Sequence, residues 1–151
     1  MIGIFFYGSI YIKYDYYLYY DGKNDNNNLL RLVIPKIDFD RKIYDFSSKL
    51  NNVDYNVEML RSSDIYNNLY FFAGHTGSGD NCYFNRLIEL KISDIIYILN
   101  NDKKLVYEVN DIYFIRKNGY MEVEFDVIDT VFLITCSDYD RQLIVKGVLI
   151  N

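Results

Sequence analysis

A chain of 151 residues with a formal charge of −5, one histidine and two cysteines is one domain by length and large enough to bury its own core. No Lys/Arg run exceeds two residues, so the concentrated basic patch that displaces phosphate counterions is missing and nucleic acid is not an expected partner. One His and two separated Cys fall short of a zinc cage or a disulfide scaffold, so no metal or cofactor is expected, although a bridge between Cys82 and Cys136 stays open.

Half of the residues are hydrophobic and 18% aromatic, with Ile and Tyr the most frequent of them and Phe and Val abundant, a bias toward strands. Residues 1–20 are apolar up to Ile12 and then rich in tyrosine. Twelve residues are too few to span a bilayer, which takes roughly 20. Tyrosine suits the membrane–water interface, so this segment reads either as a truncated membrane anchor or as an ordinary first element of the fold. Residues 21–28, with Gly22 and four Asn, read as a polar linker, and a folded domain of residues 29–151 follows.

Within that domain Leu30–Ile34 is a strand run stopped by Pro35, which suits a strand edge or a turn. Ile37 and Ile43–Phe46 read as extended. Leu50, Val53, Val57 and Leu60 recur every three to four residues, which predicts a short helix over 48–60. Leu69–Ala73 is a compact strand leading into the glycine-rich Ala73-Gly-His-Thr-Gly-Ser-Gly79. Phe84, Leu87 and Ile88 have helical spacing over about one turn. Further strands are expected at Ile95–Leu99, Leu105–Val109, Ile112–Ile115, Met121–Phe125, Val131–Thr135 and Leu143–Leu149, with a turn signal at Lys117-Asn-Gly119. About eight short strands with one or two short helices favour a mainly β fold, a closed or nearly closed barrel.

The candidate chemistry sits at strand ends. Cys136 follows an apolar run and opens the polar Thr135-Cys-Ser-Asp-Tyr-Asp-Arg141, so its thiol lies at the edge of the core beside solvent. A thiol is a useful nucleophile as thiolate, and a nearby cation lowers its pKa from about 8.5. His75, at the mouth of a flexible loop, can act as general acid or base. Arg141 opens the next strand, and its fixed fork of donors suits a carbonyl or an oxyanion. Against these stand plainer roles: a buried strand cysteine, a solvated histidine and a surface arginine. Cys82, in the loop after His75, is the competing nucleophile. Asp138 and Asp140 could in principle approach a divalent ion, but lone acidic residues are usually just solvated.

Together these pieces resemble the sortases, cysteine transpeptidases of Gram-positive-type cell surfaces. The family's Thr-Leu-x-Thr-Cys reads here Phe132-Leu-Ile-Thr-Cys136, with Phe in place of the first Thr. Phe72-Ala-Gly-His75 and Arg141-Gln-Leu-Ile-Val145 match the family's histidine and arginine stretches, so that its three anchor motifs occur in the right order. Ile34-Pro-Lys-Ile37 and Tyr83-Phe-Asn-Arg-Leu-Ile-Glu-Leu90 resemble its first strand and the short helix after the histidine loop. The loop between Cys136 and Arg141 is shorter than in most sortases. The resemblance implies a sortase-like barrel in which Cys136 is the nucleophile, His75 the general acid, Arg141 the oxyanion donor and Thr135 a supporting residue. It further implies cleavage of a Leu-Pro-x-Thr-Gly-like sorting signal through a thioester. The acyl group passes to an amine acceptor, a peptidoglycan precursor or a pilin lysine, on the extracytoplasmic face of the membrane. A cysteine hydrolase using water, or a catalytically silent binding barrel, are the competing readings of the same residues.

Overall fold

The computed structural model describes residues 2–7, 10–12, 30–100, 103–117, 120–124, 126–135 and 140–151. Among the described residues eleven strands carry the fold: β1 (Ile2–Tyr7), β2 (Ile10–Ile12), β3 (Leu30–Ile34), β4 (Phe39–Ile43), β5 (Glu58–Met59), β6 (Tyr70–Gly74), β7 (Ile95–Asn100), β8 (Lys103–Arg116), β9 (Tyr120–Val123), β10 (Thr130–Thr135) and β11 (Arg141–Leu149). Eight of them form one sheet in the order β4-β3-β7-β8-β11-β10-β6-β5, while β2-β1-β9 form a second, three-stranded sheet. The eight-stranded sheet is a nearly closed barrel, as the composition and strand spacing predict.

Alternation dictates which side chains turn inward. In β3, Leu30, Leu32 and Ile34 are buried and Arg31 is exposed. They join Phe72 of β6, Ile96 and Ile98 of β7, Val109 of β8, Val131 and Leu133 of β10 and Leu143 and Val145 of β11 in the barrel interior. A second cluster lies on the opposite face of the central strands, where Phe71, Phe132, Ile134 and Ile144 pack with Met121 and Val123 of β9. Strand β10 is therefore buried on both faces, which is why its sequence is continuously apolar rather than alternating. Each such side chain, fully buried, contributes about 1.5–3 kcal/mol.

At the barrel's edge strand β4, one buried side chain ties on the turn that precedes β5. Asn56 is 2% exposed; its Nδ2 donates to the Lys42 carbonyl at 2.8 Å and its Oδ1 accepts from Arg41 Nε at 2.8 Å. The Arg41 guanidinium lies 3.7 Å from the centre of the Tyr83 ring, which ties the β4 edge to the segment after the histidine loop.

Several local expectations change. No helix forms over 48–60. Asn51 instead exchanges two side-chain hydrogen bonds with the Met59 backbone, at 3.0 and 2.8 Å, and Asn52 Oδ1 accepts the Asp54 N–H at 2.9 Å. Short polar side chains thus outcompete the helical ladder, although Val53, Val57 and Leu60 are buried as the periodicity suggests. The extended run ends at Ile43 rather than Phe46, because Asp45 Oδ1 captures the N–H groups of Ser47 and Ser48 in a turn. Ile37 lies in the 3-10 turn Pro35–Ile37, and the one-turn helix near Phe84 is the 3-10 turn Leu87–Glu89. The segments Leu105–Val109 and Ile112–Ile115 merge into β8, which is long enough to pair with both β7 and β11. Residues 1–20 are described only at β1 and β2, which pair with each other and with β9. The linker 21–28 lies outside the described residues. Among the described residues no helix is long and apolar enough to cross a membrane.

Candidate active site

Three strands bring the backbone flanking the candidate residues to one rim. Strand β10 runs parallel to β6 with Thr135 opposite Gly74, so both strands end at the same level, one into His75 and the other into Cys136. On its other side β10 pairs antiparallel with β11, so β11 begins, at Arg141, at the rim where β10 ends. Neighbouring strands lie about 4.8 Å apart, which puts the ends of β6 and β10 and the start of β11 within about 10 Å of one another. Cys136 and Asp138 themselves lie outside the described residues.

The turn into the histidine loop depends on Gly74. A Cβ there would stand 2.7 Å from the Phe84 ring atoms, and Phe84 is fully buried in the barrel core. The loop folds back on itself: the Phe84 N–H donates to the His75 carbonyl at 3.1 Å. Asn85 clamps Gly77 in both directions, accepting its N–H at 2.8 Å and donating to its carbonyl at 2.9 Å. Gly77 sits at φ +139°, a backbone conformation that favours glycine.

His75 is half-buried, and its Nε2 lies 2.9 Å from Asp54 Oδ1. The histidine loop also holds Asp54 through its backbone, with Asn81 Nδ2 donating to the Asp54 carbonyl at 3.2 Å. Next to this pair Glu58, opposite Ala73 across β5 and β6, accepts the Val53 N–H at 3.2 Å. Burial pushes the Glu58 carboxyl up to about 7, the Val53 N–H opposes that, and nearby Asp54 adds to it.

Arg141 is exposed at the head of β11, where it pairs with Arg116 of β8. Its guanidinium stands 4.6 Å from the centre of the Phe114 ring. Thr135 is 1% exposed, and its Oγ1 has no hydrogen-bond partner among the described residues. Cys82 carries a free, half-buried thiol beside Gly77 and Gly79. Asp140 accepts the Lys117 N–H at 2.6 Å through its backbone carbonyl. No group of three or more His, Cys, Asp or Glu able to hold a metal occurs among the described residues.

Sequence reasoning overlooks Asp54, Asn81 and Asn85. Nothing in an asparagine-rich stretch distinguishes Asp54 from its neighbours, and it meets His75 from 21 positions away.

A nearly closed barrel with a histidine ending one central strand, beside a parallel strand that leads into a cysteine, defines a narrow class of protein. The chain belongs to the sortase family: the sortase-domain profile matches residues 32–150. Sortase A of Bacillus anthracis is 24% identical over 124 residues, which cover 80% of this chain and 59% of that protein. The chain thus spans about three-fifths of the length of that curated relative. Among solved structures, sortase C-1 from Actinomyces oris superposes with a TM-score of 0.72 at 27% identity, covering 92% of this chain and 84% of that one. Sortase C from Clostridium perfringens, solved with the C-terminal cell wall sorting motif, gives a TM-score of 0.62 at 26% identity and covers 80% and 69% respectively.

Proposed function

We propose that the chain is a cysteine transpeptidase that cleaves a Leu-Pro-x-Thr-Gly-like sorting signal and joins the acyl group to an amine. The observation that carries this reading is the parallel register of Gly74 with Thr135. It sets the backbone leading to His75 alongside the backbone leading to Cys136, and β11 brings Arg141 to the same rim. The Clostridium perfringens relative, described with a cell wall sorting motif, supports a peptide of that kind as substrate.

In this reading the Cys136 thiolate attacks the Thr–Gly carbonyl, and the Arg141 guanidinium donates hydrogen bonds to the oxyanion that forms. His75, as imidazolium, protonates the departing glycine amine. The thioester left on Cys136 then yields to an acceptor amine, from a peptidoglycan precursor or a pilin lysine, splitting one difficult exchange into two smaller barriers. Thr135 holds the end of β10 beside the thiol. Residues 29–151 form the catalytic domain, placed on the extracytoplasmic side of a Gram-positive-type membrane, with 21–28 as linker and 1–20 as an N-terminal element able to meet the membrane. Comparing the detergent dependence of chains beginning at Met1 and at Leu29 tests that last assignment.

The decisive experiment is turnover of a fluorogenic sorting peptide with and without an added amine. Cys136→Ala should abolish both cleavage and thioester capture, while Cys82→Ala should retain them, and an amide adduct should form only with the amine present. Full activity in Cys136→Ala would overturn the nucleophile assignment. Hydrolysis without adduct at any amine concentration would make water the acceptor.

A further inference from the structure

The contact between His75 and Asp54 stands out because the turn carrying the carboxylate is held from several sides. Asn52 accepts the Asp54 N–H through its side chain at 2.9 Å, and its carbonyl accepts the N–H groups of Tyr55 and Asn56, both at 2.9 Å. Glu58 fixes the preceding residue through the Val53 N–H at 3.2 Å. Asn81, six residues past His75, grips the Asp54 carbonyl at 3.2 Å. Buried Asn56 pins the far end of the turn to β4 at 2.8 Å. All of these bonds run through backbone groups or neighbouring side chains, so among the described residues the partner of the solvent-exposed Asp54 carboxylate is the His75 ring.

An ionised carboxylate only accepts hydrogen bonds. At 2.9 Å from Oδ1 of an ionised Asp54, the tautomer that satisfies the contact is the one with the proton on His75 Nε2. That leaves Nδ1 as the ring nitrogen whose proton comes and goes, since the hydrogen bond at one nitrogen decides the role of the other.

We propose that Asp54 is a positioning residue for His75: it accepts a hydrogen bond from Nε2–H throughout the cycle and holds the ring so that Nδ1 performs the proton transfers. The inference rests on the transpeptidase reading and deepens it. The proton count closes without Asp54 ever being protonated. The imidazolium gives its Nδ1 proton to the departing glycine amine and becomes neutral imidazole, with Nε2–H still on Asp54. Nδ1 then takes a proton from the incoming amine as that amine attacks the thioester, which restores the imidazolium.

The chain has a single histidine, so isotope labelling of histidine gives one ring spectrum with no assignment problem. In the Cys136→Ala chain the Nε2–H signal should be protected from exchange with water. It should be lost when Asp54→Ala is added and kept with Asp54→Asn, whose amide oxygen still accepts. With Cys136 present, Asp54→Ala should lower kcat about tenfold with KM within about twofold, because the ring is misplaced and the peptide still binds. Asp54→Asn should recover most of that loss. An Nε2–H signal indifferent to Asp54→Ala overturns the assignment, and so does a lost signal with unchanged kcat. The ring spectrum needs no turnover. A chain without transpeptidation therefore fails the functional reading, while the Asp54–His75 pair is judged separately on its own signal.

Discussion

Glu58 shows how a single residue can tie the rim to pH. Its carboxyl is pushed up from 4.5 to about 7, chiefly by burial, with the Val53 N–H and Arg61 pulling it down and Asp54 pushing it up. The folded chain then holds the proton more tightly than the unfolded chain. The stabilising contribution is full below the unfolded value and is lost as pH rises through about 7. Glu58→Gln keeps an acceptor for the Val53 N–H and removes the ionisation. Unfolding in denaturant should show the variant equal to the parent near about pH 4 and more stable by about 1 kcal/mol near about pH 8, once solvent screening of this half-exposed group is allowed for. A difference independent of pH would place the effect elsewhere. At this scale the sequence is a partial guide. The switch from apolar to polar after Thr135 singles out Cys136 as a candidate, and the glycines do the same for His75, but Glu58 and Asp54 carry no local sign of their setting.

At the scale of elements, the junction of β6 with the histidine loop depends on the room left by Gly74. The missing side chain lets Phe84 lie across the strand end, and Phe84 in turn roots the segment that folds back on the His75 carbonyl. Gly74→Ala forces a methyl group to 2.7 Å from that ring. Overpacking of this kind costs about 1–3 kcal/mol, a fall in melting temperature of about 5 °C for a chain of this size. Gly74→Ala combined with Phe84→Leu should regain part of the loss, and a single variant melting with the parent would refute the packing account. The elements themselves were unevenly legible. Strands β3, β6, β7, β10 and β11 announce themselves by apolar runs of strand length. The stretch 48–60 mimics helical spacing because Val53, Val57 and Leu60 are buried from a series of turns, and periodicity alone does not separate the two.

For the whole molecule, the point of interest is the edge of the barrel. The turn before β5 is tied to the edge strand β4 by Asn56, whose side chain bonds the Lys42 carbonyl and Arg41 Nε, while the Arg41 guanidinium lies over Tyr83. Asn56→Ala removes the donor to the Lys42 carbonyl and the acceptor of Arg41 Nε, at a cost of about 0.5–1.5 kcal/mol for each bond lost. Because the same turn carries Asp54, the variant should also speed amide exchange across residues 52–57 and in the histidine loop, readable by hydrogen exchange. Faster exchange confined to β4 would show that this tie and the rim are independent.

The residue pattern on its own determined the strand-rich class, the order of the candidate residues and the resemblance to sortases, since alternation, apolar runs and short motifs are written within a few consecutive positions. Only the tertiary structure decided that β10 lies parallel to β6, that Asn56 ties the turn before β5 to β4 and that Asp54 meets the histidine ring. These are contacts between distant segments, settled by how two buried faces pack around one strand, and no local stretch of the chain encodes them by itself.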